Sequence, residues 1–234
     1  MTLFATTRWS LLLDLKGDGR AAHAALEQLC RAYRRPVIVF LRKQGYSRED
    51  AEDAAQAFFA HLIEHRSLER AERDRGRFRS FLLAALKQFL GHQRDAANAQ
   101  KRGGGQVAEA LDSVEERDLM AASALKSPEG AFDLVWALTV LDRALAALRA
   151  EAEQSGKLAL FETLREYVVE PAERSEYAEA AARLSMRPNT VAVVVHRLRA
   201  RLRELIEGEL SETVGNAVDL KTEMTALRQA LVSS

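Results

Sequence analysis

The chain has 234 residues, 47% of them hydrophobic, with 34 basic and 34 acidic side chains and no net charge. This length admits one large domain or two small ones, and the composition excludes collagen-like, low-complexity and disulfide-scaffold proteins. Neutrality argues against a chain that binds polyanions over its whole surface, so any electrostatic function must come from local segregation of charge.

Only 4 prolines and 12 glycines punctuate the chain, and apolar residues recur at three- and four-residue spacing in almost every segment between them. The pattern predicts an all-α protein. Trp9, Leu12 and Leu13 open a short helix that ends at Lys16 to Gly19. A longer helix from Arg20 carries Ala24, Leu26, Leu29, Ala32 and Tyr33, and Pro36 is expected to kink or restart it. Cys30 sits in this apolar pattern and reads as a buried thiol in a reducing compartment. Ser47, with Asp50 three residues on, is a capping-box-like start for a helix to about Glu64. A basic connector, Arg66 to Arg77, leads to a helix from Phe78 to about Asn98 with an apolar stripe of Phe78, Leu82, Ala85 and Phe89.

Gly103 to Gly105 end this part, and residues to Ser127 are weakly patterned and acidic, reading as a flexible tether. Pro128 restarts the helical pattern, with Phe132, Val135, Leu138, Leu141, Leu145 and Leu148 on one face. A break at Ser155-Gly156 precedes helices over Lys157 to Val169, Ser175 to Leu184 and Pro188 to about Leu210, and a last amphipathic piece runs from Asn216 to Leu231. The expected organisation is a helical domain over 1–102, an acidic flexible linker over 103–128, a second helical domain over 129–210 and an extension over 211–234. The N-terminus lacks a basic leader, and no uncharged run approaches the roughly 18 residues of a membrane span. A cytoplasmic protein without membrane insertion is expected.

Charge is sharply segregated within this neutral total. The helix start Glu49-Asp50-Ala-Glu52-Asp53-Ala-Ala-Gln56 is acidic, with Ala51, Ala55, Phe58 and Leu62 turned inward. Acids in a first turn favour the helix dipole, but four of them with Gln56 on one surface exceed what capping requires and suit a basic protein partner. Between Arg70 and Arg102 lie nine basic residues against three acids. The polar face of the Phe78–Asn98 helix presents Arg77, Lys87, Gln88, Arg94 and Asn98, continued by Lys101 and Arg102. Phe78 and Phe81 lie among these charges in an arrangement that could serve base stacking, although Phe78, on the apolar stripe, reads as core.

From Arg183 to Arg203 there are six arginines and no acid. A short helix, a turn at Ser185-Met-Arg187 and a second helix with a basic C-terminal half form the pattern of a helix-turn-helix, whose second helix enters the major groove. Arg187, Asn189 and Thr190 are placed for polar base readout, and Ala192 and Val193 for contact with thymine methyl groups. His196, Arg197 and Arg199 lie farther along and are expected to hold phosphates. Val191 and Val195, one turn apart, read as the buried side.

Two patterns resemble catalytic motifs. His61-Leu-Ile-Glu64-His65 matches a zinc-peptidase spacing without a third ligand, and Lys101-Arg-Gly-Gly-Gly105 lacks the strand and the Gly-Lys-Ser/Thr ending of a phosphate loop. No enzyme activity, metal or cofactor is expected.

In their order, these features resemble an RNA polymerase sigma factor of the extracytoplasmic-function group in the sigma-70 family, over nearly the whole chain. Asp50-Ala-Glu-Asp53 with Ala54-Ala-Gln56-Ala-Phe58 is similar to the region that docks on the clamp helices of the largest core-polymerase subunits. Gly76 to Arg102 resembles the regions that open and read the minus-ten promoter element, and Ser175 to Arg203 the region that reads the minus-thirty-five element. Thr7-Arg-Trp-Ser10 and Trp136-Ala-Leu-Thr-Val-Leu141 resemble a planctomycete-type subgroup. The turn carries Ser185 where the family often has glycine, and Ala192 replaces a usual lysine or arginine. The resemblance implies core RNA polymerase and promoter DNA as partners, and leaves open an anti-sigma factor or a regulatory kinase. The alternative is a stand-alone helix-turn-helix regulator that does not join core polymerase.

Overall fold

A computed structural model of the chain describes residues 19–64, 78–99, 113–170 and 174–232, with side chains for 30–62, 78–93, 114–170 and 176–232. The described residues form nine helices and no strand, an all-α protein. In chain order the helices are α1 (Gly19–Lys43), α2 (Arg48–Glu64), α3 (Phe78–Ala99), α4 (Ser113–Ala121), α5 (Pro128–Gln154), α6 (Leu158–Val169), α7 (Arg174–Arg183), α8 (Pro188–Ser211) and α9 (Ala217–Val232). The expected helix at Trp9 and the connector at Arg66 to Arg77 lie outside the described residues.

Local side-chain chemistry sets most of the helix ends. The Asp50 amide donates to Ser47 Oγ at 3.1 Å and the Ser47 hydroxyl donates to the Asp50 carboxylate at 2.7 Å, closing a capping box on α2. Ser127 Oγ accepts from the Gly130 amide at 3.0 Å ahead of α5, with Pro128 as the first helical residue. Asn216 Oδ1 accepts from the Val218 and Asp219 amides at the start of α9. At the C-termini of α5 and α7, Gly156 (φ +68°) and Ser185 (φ +53°) take left-handed backbone. The next amides, of Lys157 and Met186, reach back to Ala152 and Ala181 at 2.7 and 2.9 Å, which satisfies carbonyls that the helix leaves open. Helix α1, expected to kink or restart at Pro36, is assigned as one helix through it. The lost amide donor is outweighed by the burial of Tyr33 and of all five residues from Val37 to Leu41.

The chain divides into two compact units. The first holds the described residues up to Thr139 together with those from Leu210 onward, and the second is Val140–Glu209. This differs from the division expected from the sequence: the boundary falls inside α5, and the C-terminal segment belongs to the first unit. The acidic stretch expected as a flexible tether is, from Ser113, the helix α4 packed on α1. Asp118 on α4, only 1% exposed, accepts two bonds from the Arg35 guanidinium at 2.6 and 2.8 Å. Glu115 stands 3.5 and 3.7 Å from Arg48 and Arg42. Leu119 and Ala122 join Val39, Ala131, Leu134 and Val135 in one apolar cluster, with Leu231 of α9 against it. Residues 103–112 of the expected linker are outside the described residues.

The largely apolar interior of the first unit also encloses a charged group. Arg79 of α3, 9% exposed, places Nε and Nη2 at 2.9 and 3.1 Å from the two carboxylate oxygens of Glu223 on α9, which is 1% exposed. Its Nη1 donates to Asp133 of α5, and its Cζ lies 4.3 Å from the centroid of the Trp136 ring. Tyr33 lies beside this group, its ring edge-on to Phe78 with centroids 5.1 Å apart. Burial and the Glu223 carboxylate push the Tyr33 phenol well above its ordinary pKa, so it stays protonated. The α3 backbone is tied to the same segment, because the Phe78 amide donates to the Thr213 carbonyl at 3.0 Å.

Removing one member of a buried ion pair costs about 3–5 kcal/mol, because the remaining charge is left without its partner. Glu223→Gln is therefore expected to lower the free energy of unfolding of the first unit by an amount in that range, and its urea midpoint with it. Lys221→Gln, two residues away and exposed, should stay within about 0.5 kcal/mol of wild type. Tryptophan fluorescence during urea unfolding measures both, and equal midpoints for the two variants would show that the pair does not hold α9.

Candidate functional site

The acidic surface begins with α2. Ala51, Ala55, Phe58 and Leu62 are buried as the periodicity predicts, which turns Glu49, Asp50, Asp53 and Gln56 to solvent. Glu52 differs from them. It is half-buried, with Arg34 at 3.5 Å on one oxygen and Arg48 at 3.8 Å on the other, so its charge is matched inside the chain. Asp50 has its capping role but remains exposed, leaving Glu49, Asp53 and Gln56 as the open part of the predicted surface.

Helix α3 buries Phe78, Leu82, Leu86 and Leu90 and exposes Ser80, Lys87, Gln88 and Gly91 on the opposite side. The buried stripe thus runs through Leu86 and Leu90, while Ala85 and Phe89, expected on it, lie at its edge. Phe78 is fully buried, so it is core and cannot stack on a base without unfolding. Lys87 meets Glu129 of α5 at 2.7 Å. Arg94 and Asn98 lie on α3, but their side chains are outside the described residues, as are Arg77, Lys101 and Arg102 altogether. His61 of the zinc-like motif stacks obliquely on Phe89 with ring centroids 5.5 Å apart. His65 and the side chain of Glu64 lie outside the described residues.

In the second unit, α7, the turn at Ser185 and α8 pack on α6. Leu164, Ala180, Ala181, Val191 and Val195 form the core, with Met186 and Leu198 against it. Burial of Val191 and Val195 is as expected. It rotates Asn189, Thr190, Ala192, Val193, His196 and Arg197 outward, with Arg187 exposed at the turn. Val193 is 50% exposed.

Arg199 departs from the expectation that it holds phosphate. Its Nε and Nη2 donate to the Tyr167 carbonyl at 2.9 and 2.6 Å, and Nη2 also donates to the Glu170 carbonyl at 2.7 Å. These are acceptors at the C-terminal end of α6, where the helix dipole favours a cation. Arg199 therefore fastens α8 to α6. Arg201 is likewise engaged, with Glu151 at 2.7 and 3.0 Å and Glu204 at 2.6 Å. Arg201 holds the Glu151 carboxyl below its usual pKa, so the pair persists as pH falls to the ordinary carboxylate range and is lost below it. Tyr167, Glu170 and Glu151 lie 29 to 50 residues from the arginines they meet and leave no local trace in the sequence, whereas Glu204 is three residues from Arg201.

Comparison with family models, with curated proteins and with solved structures finds no match to this chain.

Charged hydrogen bonds to helix-end carbonyls are worth roughly 1.5–3 kcal/mol. Arg199→Ala is expected to lower the stability of the second unit by about that amount. Arg197→Ala should be nearly silent in stability. Thermal unfolding followed by circular dichroism distinguishes them, and equal melting temperatures would overturn the capping role.

Proposed function

We propose that the chain is a promoter-specificity sigma factor that joins core RNA polymerase and directs initiation by recognising and melting promoter DNA. The observation that carries the reading is the helix-turn-helix of α7 and α8. Its packed side is apolar, while Arg187, Asn189, Thr190, Ala192, Val193, His196 and Arg197 are all exposed at the turn and along the outward side of the second helix. A recognition helix needs this division between a buried brace and an exposed reading side. The acidic start of α2 and the polar side of α3 support the larger assignment. A repressor needs only the helix-turn-helix, whereas a sigma factor needs a surface for polymerase and a second one for the opened strand. The motif resemblance over Asp50 to Phe58 and Gly76 to Arg102 supports the same roles.

Within this reading, Glu49, Asp53 and Gln56 meet a basic polymerase surface, and Lys87 and Gln88, with Arg94 and Asn98 farther along α3, face the non-template strand. Asn189 and Thr190 read base edges, Ala192 and Val193 meet thymine methyls, and Arg197 holds phosphate. Arg199 acts on DNA only through the position of α8.

Native gel electrophoresis with purified core enzyme tests the assignment. A complex is expected, and Asp53→Arg should weaken it by more than the roughly 0.2–1 kcal/mol of a rim ion pair, because reversal adds repulsion. Specific duplex binding without any core complex would give the chain to the class of stand-alone regulators. On DNA, Asn189→Ala is expected to cost about 1–3 kcal/mol at one base position, while Arg197→Ala weakens all sequences alike and lowers the salt slope by about 1. Competition binding against single-base operator variants checks this, and the opposite pattern would reverse the two roles.

A further inference from the structure

The lysine and arginine side chains described on α3 are Arg79 and Lys87, and each is met by an acid from one side of α5. Asp133 bonds Arg79, and Glu129, one helical turn earlier on α5, pairs with Lys87 at 2.7 Å. The two pairs differ in access. Arg79 is also closed off by Glu223 and is out of reach of any ligand. The Lys87 and Glu129 side chains remain 50% and 41% exposed, on the side of α3 that carries Gln88 and Gly91.

We propose that Glu129 is a built-in anionic competitor for the nucleic-acid side of α3, holding Lys87 until a single-stranded phosphate backbone displaces it. The inference rests on the reading of α3 as a strand-binding helix. Glu129 suits the role because it sits in the first turn of α5, where the dipole favours a carboxylate. The hydrogen bond from Lys87 lowers its pKa further, so it stays ionised at neutral pH. An exposed pair of this kind is weak enough to be displaced. While Glu129 is charged, however, the pair presents no net charge to a strand and contributes little to counterion release. The acid thereby reduces binding of stray single strands. It still leaves Lys87 available where other contacts bring a strand onto α3.

The test uses the full chain and a fluorescently labelled oligothymidylate, with affinity read by anisotropy over a range of salt. Glu129→Gln keeps the side-chain shape and is expected to raise affinity about two- to fivefold. It should also steepen the logarithmic salt dependence by about 0.7, the value of one extra phosphate contact on a single strand. Lys87→Ala in the Glu129→Gln background should remove both gains, while helix content stays at the wild-type level. Wild-type affinity and slope for Glu129→Gln, a gain that survives Lys87→Ala, or no binding by any variant would each overturn the proposal. The native gel with core polymerase separates the two failures. A core complex without the oligothymidylate gain refutes the role of Glu129 and leaves the sigma-factor reading standing. The gain without a core complex keeps Glu129 as a regulator of single-strand binding and removes that reading.

Discussion

A guanidinium nine-tenths withdrawn from water is a large electrostatic demand, and Arg79 makes that demand inside the first unit. It is met by carboxylates from two other helices, Glu223 of α9 and Asp133 of α5, and by the face of Trp136. The three helices must therefore lie where these groups can converge. Burial opposes the charge on Arg79, but the Glu223 hydrogen bonds and the two carboxylates more than offset it, so the group remains ionised. The C-terminal helix is consequently an integral wall of the first unit, with Leu227 buried and Leu231 packed on the apolar cluster.

The arginines divide by role according to what they meet. Composition describes 34 bases balanced by 34 acids, but that balance does not say which charges are already used. Arg35 is matched to Asp118, Arg79 to Glu223, Arg199 to the carbonyls at the end of α6 and Arg201 to Glu151. Groups engaged in this way hold helices against each other. Arg187 and Arg197 are exposed on the outward side of the helix-turn-helix, and with Arg199 and Arg201 engaged the proposed DNA surface holds fewer than the six arginines of this stretch. The acidic start of α2 divides similarly: Glu52 is matched inside the chain by Arg34 and Arg48, while Asp53 faces out.

The turn between α7 and α8 shows how a local departure is accommodated. Ser185 occupies a left-handed conformation that glycine adopts without strain, and it does so because the Met186 amide must reach the Ala181 carbonyl to finish α7. Met186 then packs on the core of the second unit. Ser185 thus makes the turn at the modest cost of a positive φ in a residue with a side chain.

Much of the fold was legible from periodicity and capping alone. The 3.6-residue repeat identifies the buried sides of α2 and α8, and Ser47, Pro128, Gly156 and Asn216 mark helix boundaries, because these signals act over one or two turns of contiguous chain. The exposure of Asn189, Thr190, Ala192, Val193, His196 and Arg197 on α8 follows from the same repeat, whereas the engagement of Arg199 does not. Tertiary structure decided the rest. That α1 continues through Pro36, that α4 docks through Asp118, and that α9 closes the first unit all depend on what stands opposite. Glu223 is 144 residues from Arg79 and Asp118 is 83 from Arg35. No local pattern links such positions, because a salt bridge between distant residues leaves no periodic trace, and an arginine bound to a carbonyl has the same letter in the sequence as one that faces solvent.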